Sequence, residues 1–131
     1  MIVVDASLVV DFLLDGGERG AWATAQIAEG GALHAPELLD YEVASVVRRR
    51  ALRRETPRGR AHDAIRDLAD MRITRYPARR FLEQIWSYHR VLSAYDAAYV
   101  SLAASLAAPL ITTDARLGRA HGVEATIVAG P

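Results

Sequence analysis

Four carboxylates in this 131-residue sequence stand where a shared acidic pocket would need them: Asp5, Glu42, Asp96 and Asp114. Asp5 follows an apolar run at residues 1–4, and Asp114 lies two residues past Leu110-Ile111-Thr112. Each run reads as a buried strand that gives way to a helix, so both carboxylates should project from the carboxyl edge of a sheet. Aspartate also caps helices at such places, and that reading stays open for both. Glu42 lies three residues after Leu39 and four before Val46, on the apolar stripe Leu39, Val43, Val46 and Val47, so it should share that inward face. A carboxylate facing a core is costly unless it pairs or binds a metal; an ion pair with an arginine such as Arg48 or Arg49, or a solvated edge of the stripe, is the alternative. Asp96 sits in the first turn of an alanine-rich helix, where Ser93 through Asp96 form a capping-box pattern. Capping alone would account for it, but a carboxylate at a helix start can also reach a metal.

Converging carboxylates repel: two charges about 5 Å apart cost roughly 3 kcal/mol at an effective dielectric near 20. Such a cluster persists when cations neutralise it or some members stay protonated. Cysteine is absent, and the four histidines (His34, His62, His89, His121) never fall four residues apart, which argues against a zinc centre. The donors on offer are oxygens, the preference of Mg²⁺, with Mn²⁺ as a substitute. A cation so held can acidify a bound water, orient it towards a phosphodiester and screen the acids from an anionic substrate.

All sixteen basic residues are arginine. The lack of lysine excludes a Walker A site and Schiff-base chemistry. A phosphatase working through an aspartyl-phosphate is disfavoured too, because Ser7 stands where it would want a second aspartate. Formal charge balances at zero, so nucleic-acid binding does not follow from net charge. It is suggested instead by an arginine cluster at residues 48–60, from which Arg49, Arg53 and Arg54 are the candidate phosphate contacts. A solvated face that favours the helix dipole is the competing account of the cluster.

The elements that must position these residues alternate. Strands are expected at 1–4, 32–35, 72–76, 110–112 and 125–128. Helices are expected at 6–14 (capped by Ser7), 18–29, 37–53, 58–69, 77–88, 94–107 and 115–121. This pattern predicts a single α/β domain over residues 1–131 with a mostly parallel five-stranded sheet flanked by helices. In such sheets ligands bind at the carboxyl ends of the strands, where the chain order reverses.

Four stretches carry a family resemblance: Val4-Asp5-Ala6-Ser7, then Pro36-Glu37-Leu38-Leu39-Asp40-Tyr41-Glu42-Val43, then Leu92-Ser93-Ala94-Tyr95-Asp96-Ala97-Ala98-Tyr99, and Pro109-Leu110-Ile111-Thr112-Thr113-Asp114. In order and spacing they resemble PIN-domain proteins, most closely the VapC toxins of bacterial toxin–antitoxin pairs. The resemblance implies a metal-dependent endoribonuclease with Asp5, Glu42 and Asp96 as core metal-binding acids and Asp114 as the fourth. It makes Ser7 and Thr112 polar support, and it implies a cognate antitoxin and a homodimer. Some family members carry a further acid where this chain has Leu117. A non-catalytic module with the same fold, acting through partner contacts, is the rival reading; an idle acidic cluster would cost stability, which counts against it.

Trp22, Trp86 and Tyr88 are expected in the core or an interface, and His34 is expected to be structural. Asp11 and Asp40 are expected to be surface acids away from the pocket, and Tyr41 and Tyr95 to line it or to pack. Nothing reads as a signal peptide or membrane span, which points to a soluble cytoplasmic protein.

Overall fold

The structure is a computed structural model describing residues 1–131. Its centre is a five-stranded sheet in the order β3-β2-β1-β4-β5, formed by β1 (Ile2–Val4), β2 (Leu33–Pro36), β3 (Ile73–Tyr76), β4 (Leu110–Thr112) and β5 (Ile127–Ala129). Every pairing is parallel; Val3 is opposite His34 on one side and Leu110 on the other. Every residue of β1 and of β4 is buried. Successive side chains point to opposite faces, so both faces are covered, which is why β1 is apolar throughout and β4 is apolar up to Thr112.

Seven helices provide the cover: α1 (Ala6–Leu14), α2 (Glu18–Glu29), α3 (Leu38–Leu52), α4 (Arg58–Asp70), α5 (Leu82–Ser87), α6 (Ala94–Leu106) and α7 (Ala115–Gly118). Helix α6 lies across β1, β2 and β4, while α1 packs on α2, α3 and α4 and touches β4. Ala97 and Ala103 of α6 are buried beside Tyr99, Val100 and Leu102; small side chains there let this helix approach the sheet closely. It ends at Ala107, which takes the left-handed conformation two residues before Pro109.

The chain reverses its order of strand addition between β1 and β4, and the acids gather beyond that crevice. Three expected elements differ. The helix expected at 77–88 divides into a 3₁₀ turn (Ala78–Phe81) and the short α5, with a partly buried Phe81 at the junction. The last helix stops at Gly118 rather than running to residue 121, and the last strand is Ile127–Ala129. Ser7 does not cap α1: Asp5 does, accepting from the Leu8 amide, and Ser7 lies inside the first turn. No helix is long and apolar enough to cross a membrane.

Candidate active site

The carboxyl ends of β1 and β4 open into a pocket of about 290 Å³ lined by Asp5, Glu42, Asp96 and Asp114. The sequence places these four acids on four elements, and the fold brings all of them to one cavity.

Asp5 is the most constrained of them. Its Oδ1 accepts from the Ser7 hydroxyl at 2.8 Å and the Leu8 amide at 2.9 Å, and its Oδ2 accepts from the Thr112 hydroxyl at 2.5 Å. A carboxylate has about four acceptor sites, so one direction on Oδ2 stays open. Ser7 and Thr112 both give their only hydroxyl proton to Asp5. Their oxygens then accept the backbone amides of Thr113 (3.1 Å) and Asp114 (2.9 Å), respectively, which locks the turn after β4 against α1. Burial nevertheless pushes the Asp5 carboxyl up to about 6, with the charge of Asp114 adding to the rise. The surrounding hydroxyls and amide only partly offset the lost hydration.

Glu42 is half-buried on α3, one turn after the fully buried Leu39 and next to the fully buried Val43. It forms no ion pair with Arg48 or Arg49. Instead the Tyr99 hydroxyl donates to Glu42 Oε1 at 2.6 Å, and Oε2 has no protein partner. Burial raises the Glu42 carboxyl above the ordinary carboxylate range, and the nearby Asp96 charge raises it further. Burial and the bond to Glu42 also push the Tyr99 phenol upward, so it stays a protonated donor.

Asp96 lies in the first turn of α6, where the Ser93 hydroxyl accepts its backbone amide at 3.1 Å, as the capping pattern predicts. Its carboxylate is turned the other way, to Arg116: Nη1 donates to Asp96 Oδ2 at 2.8 Å. Asp114 caps α7 through the amides of Arg116 and Leu117 and also accepts from Arg116 Nη2 at 3.1 Å. For Asp5 and Asp114, then, capping and pocket lining are held by the same side chain.

Several pocket residues escaped the sequence reading. Asp11 is no surface acid: it is buried, lines the pocket, accepts from the Thr113 hydroxyl at 2.6 Å and pairs with Arg19 at 3.3 Å. Its position four residues after Ser7 on α1 was the available signal, because that spacing shares a helix face. Tyr99 lies three residues after Asp96 and was legible in the same way. Arg19, Arg50 and Arg116 line the pocket, whereas Arg49, Arg53 and Arg54 do not; the last two sit where α3 ends, Arg54 exposed. Asp40 pairs with Arg75 at 2.7 Å outside this pocket. Tyr41 and Tyr95 are exposed and do not line it. Tyr88 is buried and Trp22 is packed against the core, but Trp86 stands in solvent, stacked on His89 at 4.4 Å. His34 is structural, hydrogen-bonded to the Tyr76 hydroxyl at 2.7 Å. Leu117, where a further acid would fall, is buried in the core.

The lining fits a hard divalent cation chemically. Its donors are oxygens with no histidine or cysteine, and five carboxyls face three guanidiniums, a surplus of two negative charges. In the geometry as it stands, no three acids converge tightly enough to chelate an ion.

Comparison with known proteins places this arrangement. The PIN domain profile matches residues 2–123. The chain is 37% identical over 131 residues to ribonuclease VapC9 of Mycobacterium tuberculosis, covering 100% of this chain and 99% of the relative. It is 37% identical over 126 residues to ribonuclease VapC1 of the same organism, covering 95% and 94%. Among solved structures, VapC20 of Mycobacterium tuberculosis, described as a sarcin–ricin loop cleaving toxin, superposes with a TM-score of 0.71 at 18% identity, covering 96% of this chain and 99% of that one.

Proposed function

The chain belongs to the PIN-domain family and is of the VapC ribonuclease type, and from that premise we propose that its acidic pocket is the metal-dependent site of an endoribonuclease toxin. The RNA-cleaving activity comes with the family. The residues and the metal are the present reading: Asp5, Glu42, Asp96 and Asp114 bind Mg²⁺, with Mn²⁺ able to replace it. The observation that carries it is the surplus of two negative charges in an all-oxygen pocket at the strand-order reversal.

Held by Asp5, Glu42, Asp96 and Asp114, a divalent cation would supply an acidified water and positive charge for phosphodiester hydrolysis. The protein's own groups provide the positioning. Ser7, Thr112 and the Leu8 amide fix the Asp5 carboxylate so that its free acceptor direction is set before anything binds. Tyr99 holds Oε1 of Glu42 and leaves Oε2 for the pocket. Arg19 and Arg50 line the pocket; Arg19 is held by Asp11 and the Thr113 carbonyl, whereas the guanidinium of Arg50 bonds no acid and can take phosphate oxygens in pairs. Addition of water across the phosphodiester breaks the bond to the 3′ oxygen and leaves a 3′-hydroxyl and a 5′-phosphate. A 2′,3′-cyclic phosphate product would contradict this mechanism.

The family implies an RNA substrate and a VapB-type antitoxin as protein partner. We further propose that residues 1–131 form one PIN domain, that it pairs as a homodimer, and that it acts in the cytoplasm. Arg49, Arg53 and Arg54, outside the pocket, would contact flanking RNA or the antitoxin.

The test compares wild type with Asp5→Asn on a panel of structured RNAs, with Mg²⁺ and with EDTA. Cleavage that requires both the cation and Asp5 is the expected result. Cleavage that survives EDTA or Asp5→Asn would refute the assignment, and an absence of both cleavage and metal binding would favour a non-catalytic module.

A further inference from the structure

Two arginines make paired contacts with acids in this molecule, and they differ in kind. Arg75 bonds Asp40 and also donates to the carbonyls of Leu68, Met71 and Ile73, with its side chain 24% exposed. That is a structural staple. Arg116 has side-chain bonds only to Asp96 and Asp114, at 2.8 and 3.1 Å, and its side chain is 65% exposed. It bonds no carbonyl and joins two acids on separate elements, α6 and the turn after β4. The same two carboxylates are the ones assigned above to a cation, and in the present geometry no three acids converge to hold one.

We propose that Arg116 is an internal counter-ion, a latch that holds Asp96 and Asp114 in the metal-free pocket and is displaced by the divalent cation, after which its guanidinium is available to a phosphate oxygen of the RNA. This rests on the reading that Asp96 and Asp114 are metal ligands. The exchange is physically easy. Ion pairs of a solvent-exposed arginine are weak, and the flexible side chain needs only to rotate about its own bonds. Without a cation, the latch prevents two neighbouring carboxylates from facing each other unscreened. With one, the positive charge on the acids is replaced, and the guanidinium remains on the rim where an anionic backbone must pass. A latch closed nine-tenths of the time would weaken apparent metal affinity about tenfold, since affinity scales with the competent fraction.

Calorimetric titration of MnCl₂ into metal-free wild type, Arg116→Gln and Arg50→Gln tests this directly. Arg50 lines the same pocket without bonding any acid, so its variant controls for the loss of one positive charge. The expected result is Mn²⁺ affinity about tenfold tighter in Arg116→Gln, no more than about twofold tighter in Arg50→Gln, and a raised KM for RNA in Arg116→Gln. Equal tightening in the two variants would overturn the latch and leave the metal site standing. Weaker Mn²⁺ binding in Arg116→Gln would also overturn it, making Arg116 a support of the site. Absence of Mn²⁺ binding in all three proteins would remove both the latch and the metal assignment beneath it.

Discussion

Asp5 is held by three donors and still titrates near 6, so the metal-free pocket keeps a carboxylate that the fold would rather have neutral. Asp5 and Glu42 both lie above the ordinary carboxylate range for the same first reason, burial. For such groups the folded state binds protons more tightly than the unfolded state. The stability they contribute is complete below the unfolded value and is lost as pH rises through the folded one. Metal-free protein should therefore lose stability between about pH 4 and pH 6 from this source. For Asp5, the interval from 3.8 to about 6 corresponds to on the order of 3 kcal/mol at neutral pH. Asp5→Asn should accordingly raise the unfolding free energy of metal-free protein at pH 7 by about 1 to 3 kcal/mol while abolishing cleavage; urea titrations at pH 4 and pH 7 measure it, and a destabilised variant would contradict the account. Tyr99→Phe leaves Glu42 without its donor and should cost about 1 kcal/mol of stability and about tenfold in cleavage rate. The four principal acids were legible in the sequence because strand ends and a helix stripe mark them. Asp11 and Tyr99 share helix faces with Ser7 and Asp96, but what they and Arg116 do is decided by distant elements: the turn after β4 for Asp11, α3 for Tyr99 and the first turn of α6 for Arg116.

At the scale of the element, the pocket depends on close backbone contacts. Gly20 lies where a Cβ would fall 1.9 Å from the Asp15 carbonyl oxygen, so α2 follows α1 closely because this residue has no side chain. Gly20→Ala must push α2 outward, and with it Arg19, the partner of Asp11. The expected cost is about 1 to 3 kcal/mol, read as a lower urea midpoint; an unchanged midpoint would mean the helices are not in firm contact. The converse case is Ser101 in α6, fully buried, with a hydroxyl that has no hydrogen-bond partner. Ser101→Ala removes an unpaired polar group and improves helix propensity, and should stabilise by about 1 kcal/mol. The long helices were legible to within a residue or two because periodicity and stop signals agree, as at α1 and α4. The segment after Pro77 was not, because its sequence is helical in character throughout, and the division into a 3₁₀ turn and α5 is set where Phe81 packs against the core.

For the molecule as a whole, a cation that binds only the folded state should raise its stability by mass action, about 2.7 kcal/mol at one hundred times the dissociation constant. A thermal midpoint that rises with Mg²⁺ in wild type and stays fixed in Asp5→Asn would show that the pocket is the seat of the effect. Parallel pairing could be inferred from alternating elements, but the strand order could not, because local patterns do not say that the first strand lies between the second and the fourth. That order has a consequence in time. Asp5 and Thr112 are bonded across 107 positions of sequence, so the first strand made must wait for the fourth before its own acid is properly seated. While the first hundred residues emerge from a ribosome, β1 lacks one neighbour and Asp114 has yet to be added. A chain that has not yet gained β4 therefore lacks both the Thr112 bond to Asp5 and the carboxylate of Asp114, and the acidic pocket is complete only once residues 110–114 have joined the sheet.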